Sequence, residues 1–449
     1  MSSFQVALIL FGLFFALLML RVPVAFALGL ACVPVFFIDE RLTPFLLLNE
    51  MLKSYNSFLL LAIPFFLLAA NLMNAAGITE KLITLARTIV GHLPGGLGHV
   101  NVVVSMLFAG ISGSSTAETA GVGGVLIPAM KKQGFDARFT VALTACASVM
   151  GVIIPPSILM VVWGILTEQS IGHLFLAGVI PGLILAGLMA VHVLGVYFFK
   201  PEWLGEGKHA VKPAVGADDM GRAILGERAA PTPGQLVFSL FGFFAIIMGA
   251  LGGIWLGFFT PTEGAGMGAL IALVISLMKG MRWAGIKESV LAVGRTATPL
   301  LIIVFSAQLY SRTLSMSGIG LTLQTGMLES GLPNWGIVLF MIFVWFVLGM
   351  LIDSISIMLL TVPIFAPVAQ KLGLDPLVFA MVGILVIEAG LLTPPFGIIV
   401  YAVKAVIGNE DVQMGKIFIA STPFWVYLLL INILLFAFPG IATYLPRAL

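Results

Sequence analysis

The chain has 449 residues, of which 60% are apolar and only 9% charged, against roughly 45–50% and 25% in an ordinary soluble domain. Twenty acidic and 22 basic side chains cannot cover the surface of a 47.7 kDa soluble protein, so the apolar excess must face lipid, which excludes a soluble enzyme. The net charge of +2, without a large basic cluster, excludes a nucleic-acid-binding protein. The composition therefore predicts an all-α polytopic membrane protein.

Apolar runs of about 20 residues, the length that crosses a bilayer as a helix, divide the chain into spans and connecting segments. Two mixed segments, 78–97 and 284–296, carry charges among apolar residues and are predicted to lie in the membrane interface. The long polar segment 200–234 is predicted to be a solvated loop. In chain order, the predicted spans are 4–20, 22–38, 57–76, 138–167, 171–199, 235–258, 262–280, 297–317, 376–407 and 414–440.

Two further apolar segments, 100–130 and 336–370, contain polar interruptions and are predicted to be re-entrant hairpins. The interruptions are Gly110–Glu118 in the first hairpin and Gly349–Ser356 in the second. Non-helical backbone at membrane depth is tolerated only where protein or water surrounds it, because an unpaired N–H or C=O group in lipid costs several kcal/mol. The hairpin tips are therefore predicted to be binding sites.

The sequence contains an internal repeat at an offset of 239 residues. Eight of the 34 positions in 128–161 are identical to their counterparts, and six of the eight are Gly, Pro or Asp, which set the course of the backbone. The same offset aligns Gly110 with Gly349 and Ser114 with Asp353, so the two tips correspond. The identical pairs are Pro128 and Pro367, Lys132 and Lys371, Gly134 and Gly373, Asp136 and Asp375, Gly151 and Gly390, Pro155 and Pro394, Pro156 and Pro395, and Val161 and Val400.

The helix after each hairpin is predicted to break at a Pro-Pro pair, within Gly151–Ser157 and within Gly390–Phe396. Proline lacks an N–H group and disfavours helix at the residue before it, so both breaks free carbonyl groups. One Pro-Pro pair alone can be a structural kink, but a Pro-Pro pair beside a polar tip in both repeats favours a binding site. Carbonyl and hydroxyl oxygens suit Na⁺ and other hard cations. The polar groups at the tips are Ser112, Ser114 and Ser115 in the first unit and Asp353, Ser354 and Ser356 in the second.

Half-helix N-termini at the same tips favour an anionic substrate group, because the helix dipole places partial positive charge there. The residues predicted to contact this group are Ser114, Ser115, Thr116, Pro156, Ser157, Ser354, Ser356 and Pro395.

The two repeats are predicted to have opposite orientations, because five predicted spans, an odd number, separate the hairpins. The turn after the first hairpin carries Lys131, Lys132 and Arg138, whereas the turn after the second keeps only Lys371. Since cytoplasmic loops are rich in Lys and Arg, the first turn is predicted in the cytoplasm and the second outside. Inverted repeats with broken helices are typical of secondary transporters, with a site near the bilayer midplane.

Four carboxylates lie within or beside apolar segments, where a charge is costly and points to function. Asp353 is the strongest candidate. Glu118 is either a second candidate or a cap of the returning half-helix, and Glu263 is expected to start a helix. Glu388 is either a proton- or cation-binding group or a paired structural carboxylate.

A competing hypothesis is an intramembrane serine protease, because Gly110–Gly113 matches the pattern Gly-x-Ser-Gly. Such an enzyme needs a histidine on a neighbouring span to activate the serine. The repeat argues against proteolysis, since a protease has no need of a second unit with Asp353 at the position of Ser114. The sequence also has no P-loop motif for ATP, so the chain is not an ATPase on its own.

These stretches resemble the large membrane subunit (DctM-like) of TRAP transporters, the tripartite ATP-independent periplasmic systems that import small organic acids with a Na⁺ gradient. The resemblance covers essentially the whole chain. It implies an elevator mechanism, in which the hairpins and broken helices move as a transport domain against a scaffold. The stretches that carry it are Phe108–Glu118, Ile127–Met130, Gly151–Ile158, Gly349–Asp353 and Gly390–Gly397.

The resemblance also implies two Na⁺ sites. Asp353 matches an aspartate of the family before the second tip, whereas Glu118 stands where many members have another acid or a small residue. The family often has Pro where this chain has Ser354, and some members have Asn in place of Glu388. The implied ligands are Ser112 and Ser114 with the backbone at Gly151, Ile154 and Pro156 for one site, and Gly349, Gly390, Thr393 and Phe396, mainly through carbonyl groups, for the other.

The family's partners are a small four-helix membrane subunit (DctQ-like) and a periplasmic substrate-binding protein (DctP-like), so the chain is expected in the bacterial inner membrane. The alternative is a stand-alone Na⁺-coupled di- or tricarboxylate symporter. The expected organisation is scaffold helices and an interfacial arm in 1–97, the first transport repeat in 98–170, scaffold helices with the polar loop and second arm in 171–335, the second transport repeat in 336–410, and a C-terminal helix in 411–449.

Overall fold

The structure is a computed structural model, which describes residues 3–39, 42–55, 58–113, 115–205, 233–407 and 412–449. Regular secondary structure in these residues is helical, apart from an isolated bridge between Phe135 and Leu204. Helices suit a membrane-spanning chain, because they pair backbone groups internally. The first helices are α1 (Ser3–Met19), α2 (Val24–Cys32), α3 (Val35–Ile38), α4 (Pro44–Tyr55), α5 (Ala62–Ala75) and α6 (Ile78–Val90), with a 3₁₀ turn at Phe58–Leu61.

The first repeat is a helical hairpin followed by a bent helix. Gly113 ends the first arm in left-handed backbone, with a φ of 60°. Asp136 starts the long helix by accepting hydrogen bonds from the N–H groups of Arg138 and Phe139. The helix breaks near the Pro-Pro pair and resumes with its axis bent by 43°. The helices are α7 (Gly96–Ser112), α8 (Ser115–Glu118), α9 (Gly124–Lys132), α10 (Ala137–Ile153) and α11 (Ile158–Thr167), with a π-helical turn at Thr119–Gly123.

The region between the repeats contains long helices with well-defined starts. Thr260 and Glu263 form a reciprocal capping box, which confirms the helix-start role expected of Glu263. Of the predicted polar loop, residues 206–232 lie outside the described residues. The helices are α12 (Ile171–Phe199), α13 (Pro233–Ile247), α14 (Gly253–Trp255), α15 (Pro261–Met278), α16 (Trp283–Met316) and α17 (Ile319–Leu328), with a 3₁₀ turn at Pro201–Trp203 and a π-helical turn at Met248–Gly252.

The second repeat has the same plan as the first. Asp375 accepts hydrogen bonds from the N–H groups of Leu377 and Val378, as Asp136 does at the equivalent helix start. The second helix break also lies at its Pro-Pro pair, as predicted. The helices are α18 (Asn334–Gly349), α19 (Ser354–Lys371), α20 (Pro376–Leu391), α21 (Ile398–Ile407), α22 (Met414–Ala437) and α23 (Gly440–Ala448).

Six of the described helices are long and apolar enough to cross a membrane, and the bent pair α10 and α11 raises this to seven if it counts as one span. Large apolar side chains such as Phe4, Phe198 and Phe340 are exposed on the outer surface. This surface fits lipid contact and not water contact. The prediction of an all-α, multi-pass membrane protein is therefore confirmed, while the depth of the hairpin tips in the bilayer stays a prediction.

Some helix boundaries differ from the predicted spans. The predicted interfacial arm 284–296 and the span 297–317 are one continuous helix, α16, because Pro299 lies inside it without ending it. The predicted arm 78–97 corresponds to α6 and the first residues of α7. The predicted spans omit α4 and α17 and most of α23, which have 12, 10 and 9 residues and are too short to give a spanning signal.

The two repeats are joined around α10 and α20, whose side chains are almost all buried. α7 packs on α10 as α18 packs on α20, and α12 and α22 contact both central helices. A second group consists of α5 with α15 and α16, and of α2 with α16. Rings from both repeats meet in the core, where the centroid of Trp345 lies 6.0 Å from that of Trp163 and 5.1 Å from that of Phe379.

Candidate functional site

The first hairpin tip lies against the first helix break. The N–H group of Ile158 donates a hydrogen bond to the carbonyl oxygen of Gly113 at 3.2 Å. A Cβ atom at Gly113 would lie 3.0 Å from the carbonyl oxygen of Pro156, so glycine is required for this close approach as well as for its positive φ. The structure therefore brings together the tip and the break that the sequence predicted to face each other.

The second hairpin meets its own break through two glycines. A Cβ atom at Gly390 would lie 2.6 Å from the carbonyl oxygen of Phe346 and 2.7 Å from the Cα atom of Gly349. One at Gly349 would lie 2.7 Å from the carbonyl oxygen of Ile387. The backbones of α18 and α20 are thus in direct contact, which only residues without a side chain allow. This contact unites two residues that the resemblance assigns to one Na⁺ site.

Asp353 is the N-cap of α19. One carboxylate oxygen accepts a hydrogen bond from the N–H group of Ser356 at 3.0 Å, and the other accepts one from the Ser356 hydroxyl at 2.5 Å. These bonds fix the start of the returning arm of the second hairpin. Asp353 therefore orients the tip, and its action as a cation ligand stays a prediction.

The hydroxyl groups at the two breaks bind the backbone of the preceding helix. Ser157 Oγ donates to the carbonyl oxygen of Val152 at 2.6 Å, and Thr393 Oγ1 donates to that of Ala389 at 2.6 Å. A hydroxyl that donates its proton keeps lone pairs for a cation, so this geometry is compatible with the predicted role of Thr393. The Pro-Pro peptide bonds of both breaks are cis, at Pro155–Pro156 and Pro394–Pro395.

A cavity of about 200 Å³, here called the tip cavity, lies where the two hairpin tips meet. The first tip contributes Gly113 and Ser115, and the second contributes Asp353 and Ser354. The Ser354 hydroxyl donates a hydrogen bond to Glu388 Oε1 at 2.5 Å, and the fully buried Glu388 also lines the cavity. Both repeats thus supply polar groups to one cavity, as their alignment predicts.

Glu388 has an open acceptor. Its second carboxylate oxygen, Oε2, has no hydrogen-bond partner within the described part of the chain. The hydroxyl groups of Ser354 and Ser115 are the polar groups beside this buried carboxylate, whose charge needs several donors, a cation or a proton. The proton- or cation-binding role of Glu388 therefore stays a prediction, beside that of a paired structural carboxylate.

Glu118 is a second buried carboxylate, next to Ser105 of α7. Neither of its oxygens is hydrogen-bonded in the described ranges. Glu118 lies in the first turn of the returning arm, and its roles as a cap or as a binding group both stay predictions. The hydroxyl of Ser105 is the described polar group beside it, so its charge would be compensated further by a proton or a cation.

Several predicted site residues add little to this geometry. Ser114 lies outside the described residues, as do the side chains of Ser112 and Thr116. Pro395 and Phe396 are exposed beside the buried Thr393. Of the others, Gly151 is buried near the end of α10, and Ile154 follows α10 in extended backbone.

Leu300 lines the tip cavity and was not foreseen from the sequence, as was also the case for Leu159 and Ile398. Leu300 belongs to α16, which lies outside both repeats. The available signal was the neighbouring Pro299, because a proline inside a span marks a helix with a special environment. None of the residues lining the tip cavity is a histidine, and His192 Nδ1 is hydrogen-bonded to the Tyr427 hydroxyl at 2.8 Å. The geometry therefore gives no support to a serine protease.

Comparison with known proteins gives matches along almost the whole chain. Residues 11–441 match the profile of the family described as the DctM component of the tripartite ATP-independent periplasmic transporter. The C4-dicarboxylate TRAP transporter large permease protein DctM of Rhodobacter capsulatus is 31% identical, over 99% of both chains. The sialic acid TRAP transporter large permease protein SiaM of Vibrio cholerae is 30% identical, over 97% of this chain and 96% of that protein.

A third relative is longer than this chain. The isethionate TRAP transporter permease protein DctMQ of Oleidesulfovibrio alaskensis is 29% identical over 96% of this chain, which matches 65% of that protein.

The fold is similar to two solved transporter structures. The YdaH transporter of Alcanivorax borkumensis superposes with a TM-score of 0.61 at 14% identity, covering 89% of this chain and 88% of that one. MtrF of Neisseria gonorrhoeae, described with a class of antimetabolite efflux pumps, gives a TM-score of 0.62 at 15% identity, covering 88% of this chain and 83% of that one. At such low identity these structures support the fold alone.

Proposed function

Because the chain belongs to the DctM family, the large permease component of tripartite ATP-independent periplasmic (TRAP) transporters, we propose that it imports a small organic acid together with Na⁺. Its relatives are named for C4-dicarboxylate, sialic acid and isethionate, which are all organic anions. The observation that carries the proposal is the tip cavity, since it gathers hydroxyl groups from both repeats and two carboxylates from the second. The chain acts as a permease and not as an enzyme.

The coupling between Na⁺ and substrate is electrostatic in this proposal. Asp353 and Glu388 both line the tip cavity, so an anionic substrate would enter a space that already contains carboxylates. Repulsion in a space of low dielectric constant makes such binding unfavourable until positive charge is present. Na⁺ held at the tips by hydroxyl and carbonyl oxygens supplies that charge. The substrate therefore binds after Na⁺, and each increases the affinity for the other.

The proposed movement is an elevator. The moving unit contains both hairpins and both broken helices, and we add α12 and α22 to it because they pack directly on α10 and α20. This assignment enlarges the transport domain expected from the sequence. The scaffold contains α2, α5, α15 and α16, which pack on one another. Leu300 on α16 then forms part of the surface along which the moving unit slides.

The proposal includes partners and a location. As a TRAP subunit, the chain would lie in the bacterial inner membrane beside a small four-helix subunit and receive substrate from a periplasmic binding protein. The longer relative named DctMQ, of which this chain matches 65%, supports the small-subunit partner.

Reconstitution tests the proposal. Proteoliposomes containing the chain and its small subunit, with the binding protein outside, are given labelled succinate, sialic acid or isethionate under an inward Na⁺ gradient. We expect accumulation of one of these anions, which an inward K⁺ gradient does not support. Accumulation that ignores Na⁺ would refute the coupling. Full uptake by the chain alone would instead establish the stand-alone symporter.

The inverted orientation of the repeats has a separate test. Lys132 and Lys371 are exposed and occupy equivalent positions in the two repeats. Cysteines placed there are expected to react with a membrane-impermeant reagent from opposite faces of the membrane. Labelling of both from the same face would refute the inversion.

A further inference from the structure

A second polar space lies far from the tip cavity, where the ends of α11 and α16 meet α17 and α19. It consists of two adjoining cavities of about 370 and 410 Å³, here called the outer vestibule. Both cavities are lined by Leu166, Glu168, Ser311 and Ser315. The bent span α10–α11 starts at the basic turn after the first hairpin and ends at the vestibule. By the predicted orientation, the vestibule therefore opens on the outer face.

One face of α16 is polar in the vestibule. Gln308, Ser311, Arg312 and Ser315 all line the larger cavity and follow the spacing i, i+3, i+4 and i+7, which places them on one side of the helix. Lipid contact favours apolar residues at such positions, and a charged side chain such as that of Arg312 is costly there. A polar stripe in the apolar second half of α16 therefore indicates a space for water and a polar solute.

Arg312 is the one basic residue among the described residues that line the vestibule. Its Nε atom lies 3.7 Å from Glu50 Oε2, and Lys53 Nζ lies 3.0 Å from Glu50 Oε1. Glu50 thus contacts both Lys53 and Arg312, and Glu168 is the acidic residue that lines both cavities, so the guanidinium group of Arg312 is the cationic group that faces an entering anion. The Glu50 side chain is 10% exposed and that of Arg312 is 61% exposed, so Glu50 holds the arginine from the protein side.

The same helix connects the vestibule to the tip cavity. Ser311 follows Leu300 by eleven residues, which is about three helical turns or roughly 16 Å, so both lie on the same face of α16. Leu300 lines the tip cavity and Ser311 lines the vestibule. The vestibule and the tip cavity therefore lie along one face of α16, separated by the buried Val304 and Ala307.

We propose that the outer vestibule is a first anion-binding site on the import path, in which Arg312 binds the acidic group of the substrate before it reaches the tips. This rests on the proposed function, because it assigns a second site to the same substrate. A guanidinium group binds a carboxylate or sulfonate through paired N–H donors, and the neighbouring amides and hydroxyls bind the remaining polar groups. Either cavity has the volume of a small-molecule site.

The test uses the charge of thiol reagents. Cys32 and Cys146 are buried, so the unchanged chain serves as the unlabelled control. Ser315→Cys then places one reactive thiol in the vestibule. We expect an anionic methanethiosulfonate to react faster than a cationic one from the outer face. Arg312→Gln is expected to lower this rate ratio about tenfold, the order expected for removing one unit charge roughly 8 Å away near a screened surface. Arg312→Lys keeps the charge and is expected to keep the ratio.

Protection of the same thiol tests binding. Succinate, isethionate and sialic acid are added during labelling of Ser315→Cys with a neutral maleimide. We expect at least one of them to slow labelling when Arg312 is present and none to do so after Arg312→Gln. The double variant Glu50→Gln and Arg312→Gln removes both members of this ion pair. It serves as a control in which Glu50 does not lose a partner through the change at Arg312.

An unreactive thiol, a rate ratio unaffected by Arg312→Gln, or absence of protection by all three anions would overturn the vestibule site. Labelling needs neither transport nor a Na⁺ gradient, so its outcome is independent of the uptake experiment. Protection without uptake would preserve the vestibule site and refute the proposed function.

Discussion

The contact between Gly349 and Gly390 predicts that a single methyl group is enough to disturb the second repeat. A Cβ atom at Gly390 would lie 2.6 Å from a backbone oxygen of α18, whereas ordinary contacts begin at 3.4 Å. Because the obstacle is backbone and not a mobile side chain, α18 and α20 must separate by nearly 1 Å. Overpacking of this kind costs about 1 to 3 kcal/mol.

A matched control separates this effect from helix propensity. Gly187 lies in α12 with nothing within 4 Å of an added Cβ atom. Gly187→Ala is therefore expected to stabilise its helix by up to about 1 kcal/mol, a gain that Gly390→Ala shares, so the two variants are expected to differ by the overpacking cost of about 1 to 3 kcal/mol. The assay is unfolding in mixed detergent micelles, followed by circular dichroism.

Uptake and a double variant complete the test. Gly390→Ala is expected to raise the Na⁺ concentration needed for half-maximal uptake, because the contact lies at an implied Na⁺ site. Adding Gly349→Ala is expected to cost less than the sum of the two single changes, since both act on the same contact. Stability and Na⁺ dependence equal to those of Gly187→Ala would refute the argument.

Three further changes test other contacts. Glu388→Gln keeps a hydrogen-bond acceptor for the Ser354 hydroxyl but removes the negative charge. We therefore expect a several-fold loss of Na⁺ affinity in uptake assays, and an unchanged Na⁺ affinity would contradict a cation-binding role of Glu388. Burial raises the pKa of Asp136, but hydrogen bonds from Arg138 lower it by more, so the folded-state pKa lies below the ordinary carboxyl value. The ionised Asp136 therefore stabilises the fold above the ordinary carboxyl pKa, and this stabilisation is lost as the pH falls through the lower folded-state pKa. Asp136→Asn keeps a capping side chain but removes the ion pair with Arg138, so it is expected to cost up to about 1 kcal/mol at pH 7 and to flatten this acid-side dependence in unfolding titrations. Trp345→Phe removes the buried hydrogen bond from Trp345 Nε1 to Thr361 Oγ1, which is 2.7 Å long. The change is expected to lower the free energy of unfolding by about 1 to 3 kcal/mol in the same assay, and an unchanged free energy of unfolding would show that this hydrogen bond is dispensable.

The breaks and the repeat could be predicted from the sequence because Gly, Pro and Asp constrain the backbone locally. The Pro155–Pro156 pair lies between the end of α10 at Ile153 and the start of α11 at Ile158, within the predicted interval. The offset between the repeats also predicted that the tips correspond. These signals depend only on residues close together in the chain.

Contacts between distant elements could not be predicted in the same way. The sequence marks Gly349 and Gly390 as repeat positions, but their contact depends on the register between α18 and α20. The bond from Ser354 to Glu388 and the contribution of Leu300 likewise depend on tertiary packing. The short helices α4, α17 and α23 were missed because they are held by packing and not by a spanning apolar run.

The central claim is that the two hairpin tips form a Na⁺-coupled site, and equilibrium binding of radioactive Na⁺ tests it most directly. The purified chain is placed in lipid nanodiscs, and wild type is compared with Asp353→Ala, with Thr393→Val, which removes one hydroxyl at nearly constant shape, and with the Gly187→Ala control. We predict saturable Na⁺ binding that weakens several-fold in the first two variants and is unchanged in the control. Absence of saturable binding, or equal binding in all four proteins, would contradict the account.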